Sequence, residues 1–141
     1  MTLFLFALWC AVLSFYDLRW RRLPNFLTLP GAAVINVTAA VQDPLWIAGG
    51  LVWAGLYFIT ALVVGGIGGG DIKFALGLGT VVASAGLGAL MLAIVGSSLL
   101  SVLLGGMVRV YSRHPGRLYI PHGPSMALAS TCAFIVFEGI N

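Results

Sequence analysis

"FALGLGTVVASAGLGALMLAIVGSSLLSVLLGGMV", residues 74–108, contains no charged side chain. As one helix rising about 1.5 Å per residue it would reach about 50 Å, well beyond a hydrocarbon core of about 30 Å. Its internal break, "SAGLG" at 84–88, divides it into two short spans. The fold turns on that division, because it sets whether the chain crosses a bilayer five times or six.

Working outward, further breaks fall at "DLRWRRLPN" (17–25), "QDP" (42–44), "GGIGGGDIK" (65–73) and "RVYSRHPGRLYIPHGP" (109–124). They delimit six apolar segments. Charge supplies an independent check. With six crossings Arg19, Arg21, Arg22, Lys73, Arg109, Arg113 and Arg117 all fall on one side; with five they would split. The positive-inside rule makes that side cytoplasmic and puts both termini on the opposite face. The expected fold is therefore all-α: one integral-membrane domain over 1–141, a multi-pass bundle of about six transmembrane helices. Composition agrees, with 60% hydrophobic and 8% charged residues against about 25% charged in soluble domains.

The formal net charge of +3 belongs to these topology determinants, so no nucleic-acid partner is expected; the partner common to every span is the lipid bilayer. The first twenty residues lack a basic n-region and an A-x-A-like cleavage site, which favours a retained first helix over a signal peptide. Cys10 and Cys132 lie in apolar segments with no CxxC or Cys/His spacing, and read as small core residues. No metal or other cofactor is expected. His114 and His122, both in the basic segment, read as polar loop residues. Glycines within the spans (Gly49, Gly50, Gly77, Gly79, Gly105, Gly106) read as close helix contacts, and Pro30–Gly31 as a kink in the second helix.

Of four acidic residues, two share the face that carries the basic loops: Asp17 at the end of helix 1 and Asp71, after the glycines of "GIGGGDIKF" (66–74), at the start of helix 4. Each has a structural explanation. Asp71 can cap its helix, and Asp17 has three arginines nearby. Together they offer chemistry, since two facing carboxylates do not both ionise easily and tend to share one proton. The ionised member can take a proton from an attacking water while the protonated member supplies the carbonyl oxygen and then the leaving amine. The glycines permit close approach of a substrate strand. They do not form a phosphate loop, because Ile72 precedes the lysine and Phe74 follows it.

Three segments resemble the prepilin peptidases, polytopic aspartic proteases of prokaryotic membranes. "YDLRWRRLPN" (16–25) is similar to the family's first aspartate with its arginines and Pro-Asn pair, "GGGDIKF" (68–74) to its G-x-G-D-x-K motif, and "IPHGPSMALA" (120–129) to the Pro-x-Gly-Pro segment opening the last helix. The resemblance implies that Asp17 and Asp71 are the catalytic dyad, that Pro24, Asn25, Gly68, Gly70, Lys73, Gly123 and Pro124 shape the site or bind substrate, and that the substrate is a prepilin or pseudopilin losing its short basic leader at the cytoplasmic interface. It also implies contact with pilus or secretion assembly components. No segment matches the paired-CxxC insert of the larger, N-methylating members, and the length is similar to the short peptidases of Flp/Tad pili. Two other readings stay open. Tyr16-Asp17 with Gly68-x-Gly70-Asp71 is also similar to the G-x-G-D proteases that cut within a substrate's transmembrane helix, and a non-enzymatic membrane scaffold or small transporter could hold two carboxylates as polar or ion-coupling groups.

Overall fold

In the computed structural model, which describes residues 2–111 and 121–138, the long uncharged stretch is divided as its glycines predict. Six helices follow one another: α1 Thr2–Trp20, α2 Asn25–Gln42, α3 Leu45–Val63, α4 Gly69–Ser84, α5 Leu87–Tyr111 and α6 Gly123–Glu138, with no strand among the described residues. The break between α4 and α5 falls at Ala85–Gly86, where Gly86 takes φ +105°, a left-handed conformation that favours glycine. The two products are unequal: α4 has 16 residues and α5 has 25. Arg109 lies in the last turn of α5, where a cation complements the helix dipole, so the helix continues past the point at which the uncharged run stops.

The chain runs up and down, so the ends of α1, α3 and α5 meet the starts of α2, α4 and α6. Helix α4 is central. It packs most extensively on α3 and also touches α2, α5 and α6, while α1 leans on α6 and barely on α2. The α3–α4 approach is made by glycines: a Cβ at Gly79 would lie 2.8 Å from the Gly49 carbonyl oxygen and 2.8 Å from Gly50 Cα. Gly77 admits the Trp9 ring, but a Cβ at Gly106 would meet nothing within 4 Å, so that glycine is not a helix contact. Helix α2 runs unbroken through Pro30, and Gly31 leaves room for the Trp9 indole.

The interior combines large apolar side chains (Leu13, Trp53, Phe74, Leu78, Val82, Met126) with buried Asp17, Thr28, Asp71, Thr80, Ser97, Ser101, Ser125 and Ser130. The outside is apolar on the five helices around α4, from Phe15 on α1 and Phe26 on α2 to Leu103 on α5 and Ile135 on α6, while α4 exposes no large apolar side chain. Helices α3 and α5 are long and apolar enough to cross a membrane. Cys10 is buried, but Cys132 is exposed on α6, contrary to the expectation that both are core residues. Arg113, His114 and Arg117 lie outside the described residues.

Candidate active site

On α1 the residues Cys10, Leu13 and Asp17 recur at helical spacing on one stripe, and all three are buried. Asp17 is thereby carried into the bundle, with 1% of its surface exposed. Its Oδ2 accepts the Gly123 backbone N–H at 2.8 Å. Gly123 opens α6, where first-turn N–H groups have no acceptor within the helix and the dipole favours an anion. A side chain is excluded there, since a Cβ would lie 2.9 Å from that same Oδ2. Asp17 Oδ1 is buried without a hydrogen-bond partner among the described residues. The arginines that the sequence offers as partners are elsewhere: Arg19, Arg21 and Arg22 are exposed, and the Arg19 guanidinium lies over the Trp20 ring at 5.7 Å.

Asp71 is 3% exposed. The sequence expects it to be the N-cap of its helix; Gly68 holds that position, and Asp71 is the third helical residue, its Oδ2 reaching back to accept the Gly68 N–H at 3.1 Å. The capping function survives from inside the helix, as in a capping box whose other half glycine cannot supply. Each aspartate thus draws on the backbone at a different helix start, α6 for Asp17 and α4 for Asp71.

Most of the remaining expected site residues lie around the starts of α2 and α4, and Pro124 lies apart. Lys73 Nζ donates to Asn25 Oδ1 at 2.8 Å, tying the first turn of α4 to that of α2; Lys73 therefore does more than set topology. Pro24 precedes α2 in an extended conformation, and its carbonyl accepts the Thr28 N–H at 3.0 Å and hydroxyl at 3.1 Å. Gly70 lets the connection between α1 and α2 lie against α4, since a Cβ there would come within 2.7 Å of Leu23 Cβ. Gly68 carries the N–H that binds Asp71. Pro124, by contrast, lines a crevice between α1 and α6 with Cys10, Ser14 and Thr131.

Sequence reasoning missed His122 and Ser101. Rather than a solvated loop residue, His122 is half-buried, with Nδ1 2.8 Å from Ser101 Oγ, and the Asp17 charge acts on it. Burial pushes the imidazole below its usual pKa and the Asp17 carboxylate partly opposes that shift. The available signal was the Ser97/Ser101 pair at i, i+4 in an otherwise apolar helix. A crevice of about 800 Å³ lies toward the other end between α1, α2, α4 and α6, lined by Leu5, Trp9, Ile35, Gln42 and Phe134. Among its described lining residues Glu138 is the one ionisable group, with no acid–base partner there.

Compared with known proteins, the chain matches the family model described as Type IV leader peptidase family over residues 4–107. Neither the curated proteins nor the solved structures gave a match. The matched span carries both aspartates and ends before His122 and α6.

Proposed function

The chain belongs to the type IV leader peptidase family and is a peptidase by that membership; on that premise we propose that it is a membrane aspartic endopeptidase that removes the leader of prepilin-like proteins with Asp17 and Asp71. One observation carries the reading. Two carboxylates are buried at the same end of the bundle, each bound by a helix-start N–H, where an ordinary packed core would hold apolar side chains.

One carboxylate is ionised and the other holds a proton. The ionised one takes a proton from water as the water oxygen bonds to the scissile carbonyl carbon; the protonated one gives its proton to the carbonyl oxygen, forming a neutral tetrahedral diol. The nitrogen then receives a proton, the C–N bond breaks, and one diol hydroxyl returns its proton to the pair. The α3–α4 connection supports access by an extended leader: Gly65 and Gly66 take φ +77° and +85°, and Cβ atoms at 65, 66 or 69 would meet nothing within 4 Å.

The apolar exterior supports membrane residence of the bundle, with α4 enclosed by the other helices, because so many exposed Leu, Val and Phe side chains suit lipid and not water. At the aspartate end Tyr16 packs on Trp20 and Phe26, with ring centroids 4.7 and 6.3 Å apart, below the exposed Arg19, Arg21 and Arg22. Aromatic and cationic groups of this kind belong at a membrane interface, and the basic residues favour the cytoplasmic one. A dyad at that depth meets the junction between a basic leader and a hydrophobic helix, not the middle of a span.

The test is co-expression with a tagged prepilin-like substrate, comparing substrate size for wild type, Asp17→Asn and Asp71→Asn at matched membrane levels. Cleavage by wild type and by neither variant is expected. Full activity in either variant overturns the dyad.

A further inference from the structure

The peptidase reading uses two aspartates and leaves unexplained a set of polar groups packed at the same end. His122, before α6, is bonded to Ser101 of α5 at 2.8 Å. The Tyr57 ring of α3 stands edge-on to the imidazole, centroids 6.4 Å apart. The Tyr57 hydroxyl lies 3.4 Å from Ser97 Oγ; because the Ser97 hydroxyl donates to the Ile94 carbonyl at 2.9 Å, Tyr57 is the donor. Ser97 and Ser101 are 0% and 3% exposed. Burying hydroxyls in an apolar bundle is unfavourable unless they are bonded, and here the Ser101 bond of α5 fixes the imidazole while the Tyr57 ring of α3 packs on it. The residue that follows His122, Gly123, gives its backbone N–H to Asp17 Oδ2 at 2.8 Å, and Asp17 Oδ1 is buried without a partner among the described residues. The charges of Asp17 and His122 act on each other.

We propose that His122, held by Ser101, is a positioning residue for Asp17, orienting and polarising the carboxylate that serves as half of the dyad. The inference rests on the peptidase reading for its catalytic meaning, but the pairing itself does not depend on activity. Among the described residues, the Tyr57 ring from α3 stands edge-on to the imidazole and the Ser101 hydroxyl from α5 bonds it; the carboxylates held at this end are Asp17 of α1, bound by the Gly123 N–H, and Asp71 of α4, bound by the Gly68 N–H. A neutral imidazole stabilises an ionised Asp17 through its dipole or an N–H, and an imidazolium does so more strongly. Linkage requires the reverse effect to be equal: an ionised Asp17 favours the imidazolium.

Two measurements test this. In the detergent-solubilised full chain with isotope-labelled histidine, His122 is followed by NMR against pH and distinguished from His114 by His114→Gln. Asp17→Asn is expected to move the His122 titration to lower pH by about half a unit or more, since the charge favouring the imidazolium is gone; Asp43→Asn is expected to leave it in place. An unmoved titration in Asp17→Asn overturns the pairing.

In the cleavage assay, Ser101→Ala and His122→Phe are expected to lower kcat about tenfold with little change in KM, and to displace the acid limb of the pH–rate profile to higher pH. His122→Gln is expected to restore part of kcat. Wild-type kcat and pH profile in both Ser101→Ala and His122→Phe overturn the role. Failure of wild type to cleave counts against the peptidase reading, and the NMR titration then decides the pairing alone.

Discussion

At the scale of single residues, the decisive contacts are those in which glycine hands its backbone N–H to a carboxylate. A methyl at 123 would come within 2.9 Å of Asp17 Oδ2 and 3.2 Å of its Cβ, so either the aspartate or the start of α6 must move. Gly123→Ala is expected to abolish most cleavage while leaving the protein in the membrane, and Gly69→Ala, where a Cβ meets nothing, to retain activity; gel-based cleavage at matched membrane levels checks both. The Lys73–Asn25 bond makes a different prediction. Because the two side chains act as one link, Lys73→Ala and Asn25→Ala are each expected to cost about 0.5–1.5 kcal/mol, and the double variant hardly more than one alone. Additive losses in a thermal-unfolding cycle would show that the bond is not a working contact.

At the scale of elements, α4 is the organiser, and small residues are the reason. Gly49, Gly50 and Gly79 bring the α3 and α4 backbones into contact, the packing expected where helices associate without a hydrophobic driving force between them. Gly79→Ala sets a methyl against backbone that cannot rotate away, with an expected cost of about 1–3 kcal/mol. Gly106→Ala, facing open space, is expected to be neutral or slightly stabilising, as alanine is the better helix former by about 1 kcal/mol. Thermal denaturation in detergent separates the two. Trp9 has a comparable role between α1 and α2: its indole N–H donates to the Leu27 carbonyl at 3.0 Å and its ring stands edge-on to Phe74 with centroids 5.1 Å apart, joining helices that otherwise scarcely touch.

At the scale of the molecule, large apolar side chains cover the outside as well as filling the core, and two carboxylates with several serines and threonines are buried among them. Up-and-down connectivity then requires every odd-to-even connection to lie at the aspartate end. In a background lacking Cys10 and Cys132, a cysteine introduced as Arg22→Cys is expected to react with a membrane-impermeant thiol reagent only after the inner side is exposed, and Asp43→Cys from outside. Labelling of both from the same side would eliminate the six-crossing arrangement.

The sequence by itself determined the helix count, the breaks and the sharing of one end by Asp17 and Asp71, because these depend on local matters: uncharged length, glycine and proline punctuation, and the sidedness of seven basic residues. It also indicated that Lys73 and Asn25 belong near the aspartates, though not that they bond. Tertiary structure alone decided which group each carboxylate meets. Asp17 turns away from three arginines close in sequence to an N–H 106 residues distant, because the stripe it shares with Cys10 and Leu13 faces the bundle. The segment carrying His122 meets Asp17 because α1 and α6 pack together, through the Gly123 N–H, while Ser101 of α5 bonds the imidazole. Such contacts join segments far apart in the chain, and local sequence carries no record of the distance between them.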